Sequence, residues 1–298
     1  MKVNKVQIIM IVVFVLTNLV VFYGSIVGLD ELGTMHPTFA NASDGQRYWG
    51  VGVNLAAGKG FVIGEESVSH LARAGPLPAV VFSIPIRLFG FEHAAGWIVA
   101  IQCFFLYLMG LTFGRVGRVF CASEELICGL IIFNPNLISL AHHAQSDLLF
   151  TCVLGGLLAI LISVLANGAV QKRSQILWLG VLAGLLPLAR PLGFYIILVI
   201  PIFFVFLCRM SPVGWNVSLG KTVSGLIVIT IIAAAIMMPW AYRNHITFGQ
   251  VSLTQSEGVM MQWHYNALKK QVANPELMPN LQDHMKKHGV TEDCANDV

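Results

Sequence analysis

The chain has 298 residues, 56% of them hydrophobic and 11% charged, with a net charge of +3 and a mean hydropathy of +0.74. A soluble globular chain carries about 25% charged residues, so this composition describes a polytopic membrane protein. The small positive balance sits at membrane edges instead of in a stripe and makes no case for nucleic acid as a partner. Five of the six cysteines (Cys103, Cys121, Cys128, Cys152, Cys208) lie in or beside apolar runs, and Cys294 stands alone near the end. Neither a disulfide framework nor zinc spacing follows.

Residues 6–28 form an apolar run of bilayer length, preceded by Lys2 and Lys5 and lacking a small-residue cleavage site. They read as an uncleaved first span with the N-terminus in the cytoplasm. Further spans are expected at 95–113, 124–141, 148–166, 176–189, 192–208 and 222–240, which makes an all-α polytopic membrane protein of about seven transmembrane helices. The segment 76–90 is apolar but only about fifteen residues long, and it carries Pro76, Pro78, Pro85 and Arg87. It reads as an interfacial or re-entrant helix. Keeping it outside places Arg115 and Arg118, Lys172 and Arg173, and Arg209 and Lys221 in short cytoplasmic loops, as the positive-inside rule asks. The expected organisation is therefore a transmembrane module over 1–240, with external loops at about 29–94 and 142–147, followed by an external tail over 241–298.

Within the first external loop, Ser43 is a helix cap, Asp44 suits the first turn, and Tyr48, Val51 and Leu55 share one face before Gly58 ends the helix. Such a helix lies flat on the membrane. An acid at a helix N-terminus also has a purely structural explanation in the macrodipole. Asp30 and Glu31, close to the end of the first span, are a second acidic candidate, with an ordinary polar flank as the alternative and preferred reading. The second loop runs Ala141-His142-His143-Ala144-Gln145-Ser146-Asp147. If it is helical, His143 and Asp147 are one turn apart and share a metal or a substrate; alternatively Ser146 and Asp147 cap the following helix. Two ligands do not make a metal site, so the cofactor expectation stays open between a divalent metal and none. Arg190 and Arg243 stand at the outer ends of two spans, where guanidinium groups suit phosphate oxygens and a recessed cation needs an anionic partner or water. For either arginine alone, snorkelling to lipid phosphate is the structural alternative.

Asp44-Gly-Gln-Arg-Tyr48, Asn54-Leu-Ala-Ala-Gly-Lys-Gly60-Phe61, Arg73-Ala-Gly-Pro76-Leu-Pro78, Asn134-Pro135 through Ser146-Asp147, Arg190-Pro191 and Pro239-Trp240 with Arg243-Asn244 follow one another across most of the chain. In that order they resemble the integral-membrane glycosyltransferases of the GT-C class, which use polyprenyl-phosphate sugars and include protein O-mannosyltransferases and lipid A aminoarabinose transferases. The resemblance implies an inverting sugar transfer from a lipid-linked donor to a lipid, glycan or protein acceptor, at the external or periplasmic face of the cell (inner) membrane. It makes Asp44 the general base and gives the lipid phosphate to Arg190 and Arg243. Tyr48, Arg73, His143 and Asp147 become residues that bind substrate or acceptor.

Relatives of that class usually continue with more spans, whereas here a polar tail follows residue 240, with Trp263 and Tyr265 as its aromatic pair. The expectation is a shortened member or a fragment, its tail a surface helix or a disordered end, or a flap bringing stacking platforms to a sugar. Two other classes compete with the enzyme. A transporter or lipid flippase normally shows paired halves, and no internal repeat is visible. A non-catalytic or degenerate family member in envelope glycan assembly is the third.

Overall fold

The computed structural model describes residues 5–27, 43–62, 75–167, 173–210, 219–248 and 253, and every regular element among them is helical. Asp30, Glu31, Arg73 and the tail from 254 lie outside the described residues. In chain order the helices are α1 (Lys5–Val27), α2 (Ser43–Ala56), α3 (Pro76–Phe89), α4 (Phe91–Gly117), α5 (Glu124–Ile132), α6 (Pro135–Ala141), α7 (Ser146–Asn167), α8 (Arg173–Ala189), α9 (Gly193–Met210) and α10 (Leu219–Phe248).

Among the described residues, α1, α4, α7 and α10 are long and apolar enough to cross a membrane, and a fifth crossing results if the bent pair α5 and α6 counts as one. Two further spans expected from hydropathy fall on α8 and α9, whose described apolar stretches are shorter than that, as is α3. The 17 residues of α8 reach about 26 Å at 1.5 Å per residue, less than a hydrocarbon core of about 30 Å.

Two boundaries differ from expectation, each for a local reason. The run at 124–141, read as one span, is two helices bent by 56°. Pro135 has no N–H to donate, and its ring drives the preceding residue out of helical conformation. Asn134 is extended (φ −67°, ψ 119°), and its side-chain oxygen accepts the N–H groups of Asn136 (3.0 Å) and Leu137 (3.3 Å), so it caps a new helix. The span expected to end at 240 instead continues as α10 through Pro239 to Phe248. A proline in a helix interior costs about 3 kcal/mol. Beyond it Trp240 and Asn244 are 7% and 0% exposed, and in a membrane helix neighbouring helices and side chains re-satisfy the backbone groups that proline frees, which lowers that cost.

The interior has two main apolar clusters. One joins α7, α8, α9 and α10 through Leu157, Leu179, Ala183, Leu186, Ile200 and Ala233. The other joins α1, α4, α5, α6 and α7 through Phe14, Leu106, Ile132, Ile138 and Leu148. Helices in lipid gain little from apolar burial as such and associate by close backbone approach. The most extensive contact, α8 on α10, works this way. A Cβ on Gly180 would stand 2.7 Å from Ile232 Cβ, and one on Gly184 would stand 2.9 Å from the Ala233 carbonyl oxygen.

α2 and α3 pack together at one end of the bundle. Their contacts identify that end: Tyr48 and Phe82 cluster with Ile98 near the start of α4 and with Ala144 before α7. At the opposite end, past the end of α4, Arg118 Nε pairs with Glu124 at 3.0 Å.

Candidate functional site

α2 brings the first-loop motif to this end. Its residues Tyr48 and Val51, expected on one face, are both buried. Gly58, at φ 77°, reverses the chain after the last turn, while Lys59 N–H donates to the Asn54 carbonyl at 2.8 Å. Asn54 Nδ2 in turn donates to the Val62 carbonyl at 2.5 Å, so the segment after α2 folds back on the helix. Phe61 is thereby set edge-on to the Trp240 ring of α10, with centroids 5.0 Å apart. Asp44 is in the first turn of α2, four residues before Tyr48 and hence on the same helix face. Its side chain lies outside the described residues.

The second loop is held from α4. Gln102, 3% exposed, donates from Nε2 to the carbonyls of Ala141 (3.0 Å) and His143 (3.2 Å). Residues 142–145 form a turn instead of a helix, so His143 and Asp147 do not share a helix face. His143, half-buried, turns its Nδ1 back to the Ser139 carbonyl of α6, and Asp147 opens α7. Among the described residues no group of three or more His, Cys, Asp and Glu side chains is placed to hold a metal ion.

Arg190 follows α8 in a tight turn: its N–H donates to the Leu186 carbonyl, and its own carbonyl accepts the Gly193 N–H, both at 2.9 Å. The side chain reaches across to α7, where Nη1 donates to Asp147 Oδ1 in an ion pair between residues far apart in the chain. Arg190 and Asp147 keep 39% and 30% of their side-chain surface exposed. Pairs this accessible contribute about 0–1 kcal/mol to stability, so the two side chains can exchange partners at little cost.

The start of α3 is wedged against the residues before Arg190. A Cβ on Gly75 would stand 2.7 Å from the Leu188 carbonyl carbon and closer still to its oxygen. Arg243 sits on the last turns of α10 with its guanidinium carbon 4.8 Å from the Trp240 ring centroid, and Nη1 donates to Asn244 Oδ1 at 2.9 Å. Trp240 Nε1 is itself engaged by the Leu253 carbonyl at 3.0 Å. Asp147 and Arg190 are thus in direct contact, while Tyr48, the turn bearing His143, and Arg243 reach the same end through α2, α6 and α10.

Comparison with family models, with curated proteins and with solved structures returns no match for this chain. The reading of the site therefore rests on its residues.

A buried polar network within the bundle escaped the sequence reading. Asn18 of α1 donates from Nδ2 to the Phe14 carbonyl (2.8 Å) and accepts the Cys103 thiol (3.2 Å), while its own carbonyl lies 3.3 Å from His142 Nε2. His142 Nδ1 stands 2.9 Å from the Ile138 carbonyl. The signal was present: Asn18 and Gln102 interrupt otherwise apolar runs, where polar side chains need partners. Asn18 and Cys103 also border an apolar groove of about 410 Å³ between α1 and α4, lined by Ile11, Phe14, Phe22 and Tyr107 among others.

Proposed function

We propose that the protein is an inverting glycosyltransferase that moves a sugar from a polyprenyl-phosphate donor to a hydroxyl or amine acceptor at the outer face of the cell membrane. The observation that carries this reading is the Asp147–Arg190 pair, an acid from the start of α7 and a guanidinium from the turn after α8, near the loop residue Ala144 that packs with Tyr48 of α2. In the reaction the acceptor oxygen or nitrogen attacks the anomeric carbon and its proton passes to the Asp44 carboxylate. The bond from that carbon to the phosphate oxygen breaks, and its electron pair leaves with the polyprenyl phosphate. Arg190 and Arg243 offset the charge that gathers on the departing phosphate. The resemblance gives substrate or acceptor binding to Tyr48, Arg73, His143 and Asp147. The groove between α1 and α4 suits an apolar chain. In this topology the N-terminus is cytoplasmic, α8 and α9 complete seven crossings, and α2 and α3 rest at the external surface.

The test is turnover by the purified protein in phosphatidylcholine vesicles, offered a panel of radiolabelled polyprenyl-linked hexoses and pentoses with hydroxyl and amine acceptors. One donor is expected to release polyprenyl phosphate as its label moves to the acceptor. Retention of label on every donor lipid, with all acceptors, removes the enzymatic reading.

A further inference from the structure

Because Arg190 is already occupied by a carboxylate, we infer that Asp147 makes this site selective for a doubly charged phosphate monoester over a singly charged phosphodiester. The inference rests on the sugar-transfer reading for the presence of a lipid phosphate, and on the observed ion pair for its selectivity.

A bilayer edge is crowded with phosphodiester headgroups, and a free guanidinium there binds any of them. Asp147 competes for the same N–H donors. A phosphodiester brings one negative charge, as the carboxylate does, and gains little by displacing it. A phosphate monoester carries about −1.5 to −2 charges at pH 7 and three acceptor oxygens, and so takes the guanidinium. The exchange is feasible because both side chains are about one-third exposed and the pair itself is weakly stabilising.

In the proposed reaction the difference has a direction. The donor, a sugar phosphodiester, has one charge, and the departing polyprenyl phosphate acquires a second as the bond from the anomeric carbon breaks. Arg190 stays with Asp147 while the donor is bound and moves to the phosphate as that charge develops. Its interaction is thereby concentrated in the transition state, where it lowers the barrier, instead of being shared equally with the ground state. Asp147 thus acts on the phosphate through Arg190, as a residue that sets charge selectivity.

The experiment measures binding of a prenyl monophosphate and of its methyl diester to the whole protein in phosphatidylcholine vesicles, for the native chain, Asp147→Asn, Asp147→Glu and Arg190→Ala. The native chain is expected to prefer the monoester roughly tenfold, the scale of one charge-assisted hydrogen bond. Asp147→Asn is expected to gain diester binding and cut that preference to about 2–3-fold, Asp147→Glu to keep it, and Arg190→Ala to abolish it. Inorganic phosphate at the same concentration is expected not to compete, and equal competition would overturn the assignment to a lipid phosphate. An unchanged preference in a folded Asp147→Asn protein overturns the selectivity while leaving sugar transfer standing. Binding of both lipids that is indifferent to Arg190→Ala overturns the phosphate site and the selectivity together.

Discussion

Asp44→Asn is expected to lower sugar transfer by about 10²–10⁴-fold, the range a positioned general base contributes. The asparagine keeps the size and shape of the side chain, so the helix and its buried Tyr48 and Val51 should hold. What it lacks is the ability to take the acceptor's proton. The work of Asp44 is to orient the acceptor and receive the proton late in the transition state. Donor binding, in which the Asp44 carboxylate takes no part, is expected to change little. Initial rates over a range of donor concentrations separate the two effects: a fall in kcat with KM nearly unchanged is the expected pattern. Near-native kcat would remove Asp44 from the mechanism.

Gly75→Ala is expected to damage both the fold and the site. The added carbon meets the backbone of Leu188, which has no rotamer to relieve the clash, so the start of α3 must move from the end of α8. Overpacking of this kind costs about 1–3 kcal/mol. Leu188, against which the added carbon presses, stands two residues before Arg190, and a shift of about 1 Å at a positioning group costs on the order of 100-fold in rate. Thermal unfolding in detergent should show a melting point lowered by several degrees. Gly50→Ala is the control: Gly50 also sits in this helical cap, in α2, but a Cβ there meets nothing within 4 Å. A Gly75→Ala protein as stable as the native chain would show that α3 does not brace the turn at Arg190.

Much of the helical layout was legible because an apolar run of bilayer length has few other ways to satisfy its backbone. The starts of α7 and α9 and the end of α8 fell within two residues of expectation, and the face of α2 was readable from the spacing of Tyr48 and Val51. Hydropathy did not report the break at Asn134-Pro135, because both halves are apolar, although the Asn-Pro pair carried the signal. It also placed the end of α10 too early, since Pro239 looks like a stop when the burial of Trp240 and Asn244 is unknown. The pairing of Asp147 with Arg190 was half legible. Antiparallel succession puts the start of α7 and the end of α8 at the same level, but a helix that is apolar all round has no pattern to set its rotation. Contact between those two side chains is a property of packing, as is the network of Asn18, Cys103 and His142.

The central claim is that the first-loop aspartate and the two arginines serve one phosphate-binding site at the outer face. Its most direct test is photolabelling of the vesicle-embedded protein with a prenyl monophosphate carrying a diazirine beside the phosphate, with the labelled peptides identified by mass spectrometry. The account predicts adducts in residues 43–62, 186–193 and 239–247, all suppressed by unlabelled prenyl monophosphate. Suppressible adducts confined to residues 115–125, at the opposite end of the bundle, would contradict it.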